Sequence, residues 1–176
     1  MSDVQNITVL ALDVDGVLTD GTITLSKNTG VENKSFHVHD GLGISLWLKA
    51  GNDVILISGR DAACVNFRAN ELGINHVIQG SKDKITDLDS TLKKLNATVD
   101  QTAFVGDDLG DIPVMQHVSY AIAVNNAADE VKLISNFVTP RAGGHGAVRD
   151  AIEHLMKEAG SWQDAIASME TSTAQQ

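Results

Sequence analysis

One cysteine, Cys64, stands in a chain of 176 residues, so no internal disulfide exists and the fold must rest on packing. Its neighbours Ala62, Ala63 and Val65 mark a helix face, which predicts a small buried apolar side chain and not a reactive thiol. Long hydrophobic runs are missing too, since none approaches the roughly 20 residues that cross a bilayer. Met1 to Asn6 lacks the basic and apolar regions of a secretory leader, and the expectation is a cytoplasmic protein. Positive charge is scarce: 13 Lys and Arg face 23 Asp and Glu, giving a formal net charge of -10 and a pI near 4.8. A field of that sign repels polyanions and excludes nucleic acid and anionic membrane as default partners, although a local basic pocket can still take a small anion.

What is present suffices for one core. An apolar content of 43% in a chain of this length predicts a single domain over residues 1–169, undivided by repeats or low-complexity linkers. Short apolar runs end in polar turns at regular intervals. Ile7 to Leu12 leads into Asp13, Asp15 and Gly16; Val54 to Ile57 into Ser58-Gly59-Arg60; Ala103 to Val105 into Gly106-Asp107-Asp108; and Tyr120 to Val124 into Asn125-Asn126. Helical patterns lie between them, at Ala62 to Leu72, Ile85 to Leu95, Ile112 to His117, Asp129 to Ile134 and Ala147 to Lys157. The alternation predicts an α/β fold, a Rossmann-like doubly wound parallel sheet. One stretch departs from it: Thr22 to Leu25 and Val31 to Val38 flank Lys27-Asn28-Thr29-Gly30, which predicts a β-hairpin inserted after the first strand. Glu170 to Gln176, without periodicity, is expected to be a disordered tail.

In such sheets ligands bind beyond the carboxyl ends of the strands, where every polar cluster above falls. Asp13, Asp15, Asp107, Asp108 and Asp111 would crowd one edge, and carboxylates so close repel unless a hard cation such as Mg²⁺ neutralises them. A carboxylate held in place can attack phosphorus, and Asp13 is placed for that; Asp15, two residues on, can exchange a proton with the leaving oxygen and then with water. Ser58 can donate to a transferring phosphoryl group, and Lys84 can supply fixed positive charge. Each residue has a plainer reading: Asp-x-Asp-Gly is a common turn, Arg60 can pair with a surface acid, and Arg68 with Glu71 nearby. The full set in order at strand ends outweighs those readings.

Asp13-Val-Asp15-Gly16-Val-Leu-Thr19-Asp20-Gly21, Ser58-Gly59-Arg60, Lys84 and Gly106-Asp107-Asp108-Leu-Gly-Asp111 resemble the four signature motifs of the haloacid dehalogenase superfamily. With Lys34 to Gly43 and Arg141-Ala-Gly143-Gly144-His-Gly146-Ala-Val-Arg149, the pattern resembles the 3-deoxy-D-manno-octulosonate 8-phosphate phosphatases. The resemblance implies Mg²⁺ on the side chains of Asp13 and Asp107 and the backbone carbonyl of Asp15, and substrate contacts from His37 to Gly41, including Asp40, and from Arg60, Arg68 and Lys84. It implies an acidic sugar phosphate as substrate, in lipopolysaccharide precursor synthesis. The spacings leave no room for a cap domain, and the resemblance implies a homotetramer in which hairpins pack together and the Gly-rich segment 141–149 reaches an adjacent site. Relatives acting on nine-carbon sialic-acid-type phosphates carry a glutamate at the Arg60 position, so Arg60 favours the eight-carbon acid. A phosphorylatable receiver module uses similar groups in the reverse motif order, which argues against it.

Overall fold

The apolar run at the start of the chain becomes β1 (Val9–Leu12), a strand with all four residues buried. A strand without an exposed face must be covered on both sides, as parallel strands of α/β proteins are. Five further strands join it: β4 (Asp53–Ile57), β5 (His76–Ile78), β6 (Thr102–Gly106), β7 (Tyr120–Ala123) and β8 (Phe137–Val138). The computed structural model describes residues 4–173, and its parallel six-stranded sheet has the order β5-β4-β1-β6-β7-β8. After β1 the chain winds outward through β4 and β5, then returns to β6 on the other side of β1 and winds through β7 to β8. Winding therefore reverses beside β1, and Asp13 follows the strand at that switch point.

The helices are α1 (Val38–Lys49), α2 (Ala63–Leu72), α3 (Lys84–Leu95), α4 (Ile112–His117), α5 (Asp129–Leu133), α6 (Ala147–Glu158) and α7 (Trp162–Thr173). Local chemistry sets several of their ends. Asp83 accepts from the N–H groups of Ile85 and Thr86, both at 3.1 Å, so α3 begins at Lys84 and aims that side chain from a capped first turn. Trp47, Leu10, Leu12, Ile55, Ile57, Phe104 and Ile122 are among the fully buried side chains of the core, and Trp162 is buried with them. Cys64 is half-buried on α2, less enclosed than its neighbours suggest.

The hairpin is present but short: β2 (Thr24–Leu25) pairs antiparallel with β3 (Glu32–Asn33). The β-prone run that continues to Val38 is interrupted because His37 caps α1, its Nδ1 accepting from His39 N–H at 3.2 Å. Capping overrides strand propensity there, and the two histidines do not share a strand face as their spacing suggests. Two elements carry weak sequence signals. β8 has two residues, and α7 continues to Thr173 where residues 170–173 read as disordered tail; residues 174–176 lie outside the described part. Trp162, Ala165, Ile166 and Met169 hold helical spacing and are the signal for α7. Among the described residues no further domain is inserted around the motifs.

Candidate active site

The turn after β1 is wound tightly on itself. Val14 C=O accepts from the N–H groups of Val17, Leu18 and Thr19 at 3.4, 3.0 and 3.1 Å, and the Thr19 hydroxyl accepts from Gly21 N–H at 3.3 Å. Gly16 has φ +93°, and a Cβ there would lie 2.0 Å from Asp107 Oδ2. The glycine thus permits a backbone conformation and the approach of a second carboxylate at once.

Asp13, Asp107 and Asp111 each offer an oxygen within 4.8 Å of the others. Lys84 reaches into this group, its Nζ 2.5 Å from Asp13 Oδ1 and 2.7 Å from Asp111 Oδ1, while Asp111 Oδ2 accepts from Asp107 N–H at 3.1 Å. One ammonium does not offset three acids. Burial and the neighbouring Asp111 push the Asp13 carboxyl up to about 6 despite Lys84, and burial with Asp13, Asp111 and Asp108 pushes Asp107 to about 7. Burial disfavours the Lys84 ammonium, but Asp13 and Asp111 outweigh it and hold its pKa above the ordinary range. A group of acids that resists ionising for want of positive charge has the donor set a hard divalent cation takes. The sequence reading placed Asp111 in the acidic group without a role; here both its oxygens are engaged, one on Lys84 and one on the Asp107 backbone.

Asp13, Asp15, Ser58, Arg60, Lys84, Asp107 and Asp111 all line one cavity of about 350 Å³. Ser58 is buried at the end of β4, its Oγ accepting from Arg60 N–H at 3.1 Å. Two hairpin residues contact site residues without lining the cavity: Lys34, which opens the stretch Lys34 to Gly43, and Glu32, which no motif singles out. The Lys34 ammonium contacts Asp15 Oδ1 and lies 2.6 Å from Glu32 Oε1, while Arg60 Nη2 lies 2.7 Å from Glu32 Oε2. The only local signal for Glu32 is the two-residue spacing that puts it on the same side of an extended segment as Lys34.

Comparison with known proteins now decides the family. A haloacid dehalogenase-like hydrolase model matches residues 60–152. The 3-deoxy-D-manno-octulosonate 8-phosphate phosphatase KdsC of Escherichia coli is 41% identical over 165 residues, spanning 94% of this chain and 87% of the relative. The chain belongs to the 3-deoxy-D-manno-octulosonate 8-phosphate phosphatase family. The solved Moraxella catarrhalis phosphatase of that family, in complex with magnesium ion, phosphate ion and a KDO molecule, is 38% identical, with 95% of each chain covered and a TM-score of 0.91. The cobalt-bound form of the Haemophilus influenzae phosphatase is 36% identical, with 91% of this chain and 93% of that one covered and a TM-score of 0.87.

Not every residue that this phosphatase family resemblance implicates lies at the cavity. His37, Asp40, Gly41 and Arg68 are absent from its lining. Arg68 binds Glu71 at 2.7 Å, lies over the Phe36 ring at 5.9 Å and is close enough to Gly41 that a Cβ there would be 2.4 Å from its Nη2. Asp40 is buried, accepts from Arg149 N–H at 2.8 Å, and has its carboxyl raised by burial. Within one chain the Gly-rich segment lies on the catalytic turn. A Cβ at Gly143 would be 1.6 Å from Gly16 C=O, and Gly144 N–H donates to Val17 C=O at 3.0 Å. These glycines allow close backbone approach to the turn. Arg141 is tied to Asp150, and Arg149 stacks over Trp162 at 5.0 Å, so neither faces the cavity.

Proposed function

We propose that this protein hydrolyses 3-deoxy-D-manno-octulosonate 8-phosphate to the free sugar acid and phosphate, with Mg²⁺ as its cofactor. The observation that carries this reading is the cluster of Asp13, Asp107 and Asp111 at the switch point of the sheet, with Lys84 paired to Asp13 and Asp111. The Asp13 and Asp107 side chains and the Asp15 backbone carbonyl would hold the ion. When bound, Mg²⁺ supplies the positive charge that offsets the acids and the phosphate dianion.

Asp13 Oδ forms a bond to phosphorus as the ester P–O bond breaks, and the proton on Asp15 passes to the departing sugar oxygen. Water then attacks the aspartyl-phosphate, Asp15 takes a proton from it, and the Asp13–phosphorus bond breaks to release phosphate. Ser58 accepts from the Arg60 backbone, which leaves its own O–H to donate to a phosphoryl oxygen. Lys84 holds Asp13 in place and screens the incoming charge. Arg60 keeps Glu32 on Nη2 and offers the exposed part of its guanidinium to the substrate carboxylate.

His37 and Arg68 then contact substrate in the homotetramer that the family resemblance implies, while buried Asp40 and Gly41 shape the start of α1 behind them. Apolar side chains on both arms of the hairpin, Ile23, Leu25 and Val31, are 52%, 60% and 56% exposed and support assembly through that element. A cytoplasmic location belongs to the same proposal.

Phosphate release, with Mg²⁺ and with chelator, across eight- and nine-carbon 3-deoxy sugar acid phosphates, hexose phosphates and p-nitrophenyl phosphate tests the reading. Metal-dependent preference for the eight-carbon acid is expected. Preference for the nine-carbon acids would move the substrate, and no release from any ester would remove the hydrolase mechanism.

A further inference from the structure

The hairpin adds nothing to the six-stranded sheet, yet it sets two charged side chains against the active-site residues Asp15 and Arg60. Lys34 is the more enclosed, its side chain 1% exposed. An ammonium so buried must be paired, and both of its partners are carboxylates: Asp15 and Glu32. Burial works against its charge, but those two bonds prevail and hold its pKa above the usual value. Glu32 and Lys34, two apart on an extended segment, point the same way. Glu32 divides its oxygens, Oε1 to Lys34 at 2.6 Å and Oε2 to Arg60 at 2.7 Å, so the Lys34 ammonium is held by a second anchored carboxylate besides Asp15.

The consequence falls on the two oxygens of Asp15. Oδ1 takes the Lys34 hydrogen bond, whereas Oδ2 has no hydrogen-bond partner, its nearest cation being Arg60 Nε at 3.9 Å. With a donor fixed on Oδ1, Oδ2 is the oxygen left free to face a leaving group. An aspartate side chain left free would rotate between orientations, and proton transfer to a leaving oxygen requires hydrogen-bond reach at the moment the P–O bond breaks. We propose that Lys34, braced by Glu32, is a positioning residue of the reaction: it fixes Asp15 so that Oδ2 is the atom that gives the proton to the departing sugar oxygen.

This inference rests on the phosphatase reading above and goes beyond it by assigning the hairpin a part in the chemistry. A hairpin pin of purely structural kind would use the same contacts, so the test must depend on the leaving group. The sugar 8-alkoxide leaves poorly without a proton, whereas p-nitrophenolate leaves without one. The Asp15 proton matters in forming the aspartyl-phosphate from the first ester and hardly at all from the second. The quantity to measure is kcat/KM, which reports steps up to the first irreversible one and so avoids the later hydrolysis common to both.

For Lys34→Met with Mg²⁺ saturating, kcat/KM on the sugar phosphate is expected to fall about 100-fold, and on p-nitrophenyl phosphate by no more than about threefold, the difference being the general-acid contribution. Retained aryl phosphatase activity also certifies that the variant is folded. Glu32→Gln should show the same sense of discrimination with a smaller size, and Lys34→Arg should restore part of it. Equal losses on the two esters in both Lys34→Met and Glu32→Gln, or no loss on either, would overturn the positioning role while leaving the phosphatase reading intact. A wild-type protein inactive toward both esters would overturn the reading itself, and the inference with it.

Discussion

Lys84 and Asp13, which lie 71 positions apart in the chain, meet at 2.5 Å across the end of the central strand. The contact joins the capped first turn of α3 to the catalytic turn after β1, and the same ammonium reaches Asp111 at 2.7 Å. Replacing Lys84 with Met leaves two buried carboxylates without their cation. Breaking a buried pair costs about 3 kcal/mol, and losing a fixed charge at a transferring phosphoryl group costs about 100-fold in rate. Lys84→Met is therefore expected to lower both the melting temperature in chelator and kcat, and a variant with wild-type kcat would remove Lys84 from the mechanism.

Asp13→Asn keeps the shape of the side chain and removes the nucleophile. Phosphate release should fall by at least about a thousandfold. Because Asp13 is more costly to ionise here than in the unfolded chain, the neutral Asn should not lower the melting temperature of the metal-free protein near pH 7. Calorimetry beside an activity assay checks both; undiminished release would refute the nucleophile assignment.

The acids also set a pH dependence of definite sign. In the metal-free protein Asp13 titrates near 6 and Asp107 near 7, both above the ordinary carboxylate value of 3.8. The folded state thus keeps protons that the unfolded state has already lost, and metal-free stability should decline as pH rises from about 4 to about 7. Mg²⁺ competes with those protons, so its apparent affinity should climb through the same window and level off above it. Titration calorimetry at several pH values tests this, and affinity independent of pH below 7 would contradict it.

Gly143→Ala places a methyl group 1.6 Å from Gly16 C=O, backbone against backbone. The catalytic turn must shift or the Gly-rich segment must detach, with an overpacking cost of about 2 kcal/mol. We expect lower thermal stability together with reduced kcat, because Asp13 and Asp15 ride on that turn. Wild-type values for both would mean that the segment does not rest on the turn in solution.

If the hairpin carries the assembly, Leu25→Glu with Val31→Lys should reduce the oligomer to smaller species in light scattering while leaving the circular dichroism spectrum unchanged. Should the subunit boundary supply Arg68 and His37, sugar phosphate turnover falls with it. An oligomer indifferent to both substitutions would place its interface elsewhere.

The chain order of motifs and the apolar runs determined the parallel α/β sheet, the strand ends that carry Asp13, Ser58 and Asp107, the helix start that carries Lys84, and the acidic set that calls for a cation. These are properties of short segments, in which periodicity and turn chemistry act within a few residues. Tertiary structure decided what depends on contacts between distant segments. It gave Asp111 its place between Lys84 and the Asp107 backbone, brought Lys34 and Glu32 from the hairpin to Asp15 and Arg60, and turned His37 from a strand residue into a helix cap. It also set Gly143 against Gly16, a contact between segments 127 residues apart that no local pattern announces. The division follows from physics: burial pattern and capping are written in neighbouring residues, whereas the pairing of buried charges depends on which of several available partners the packed backbone brings within reach.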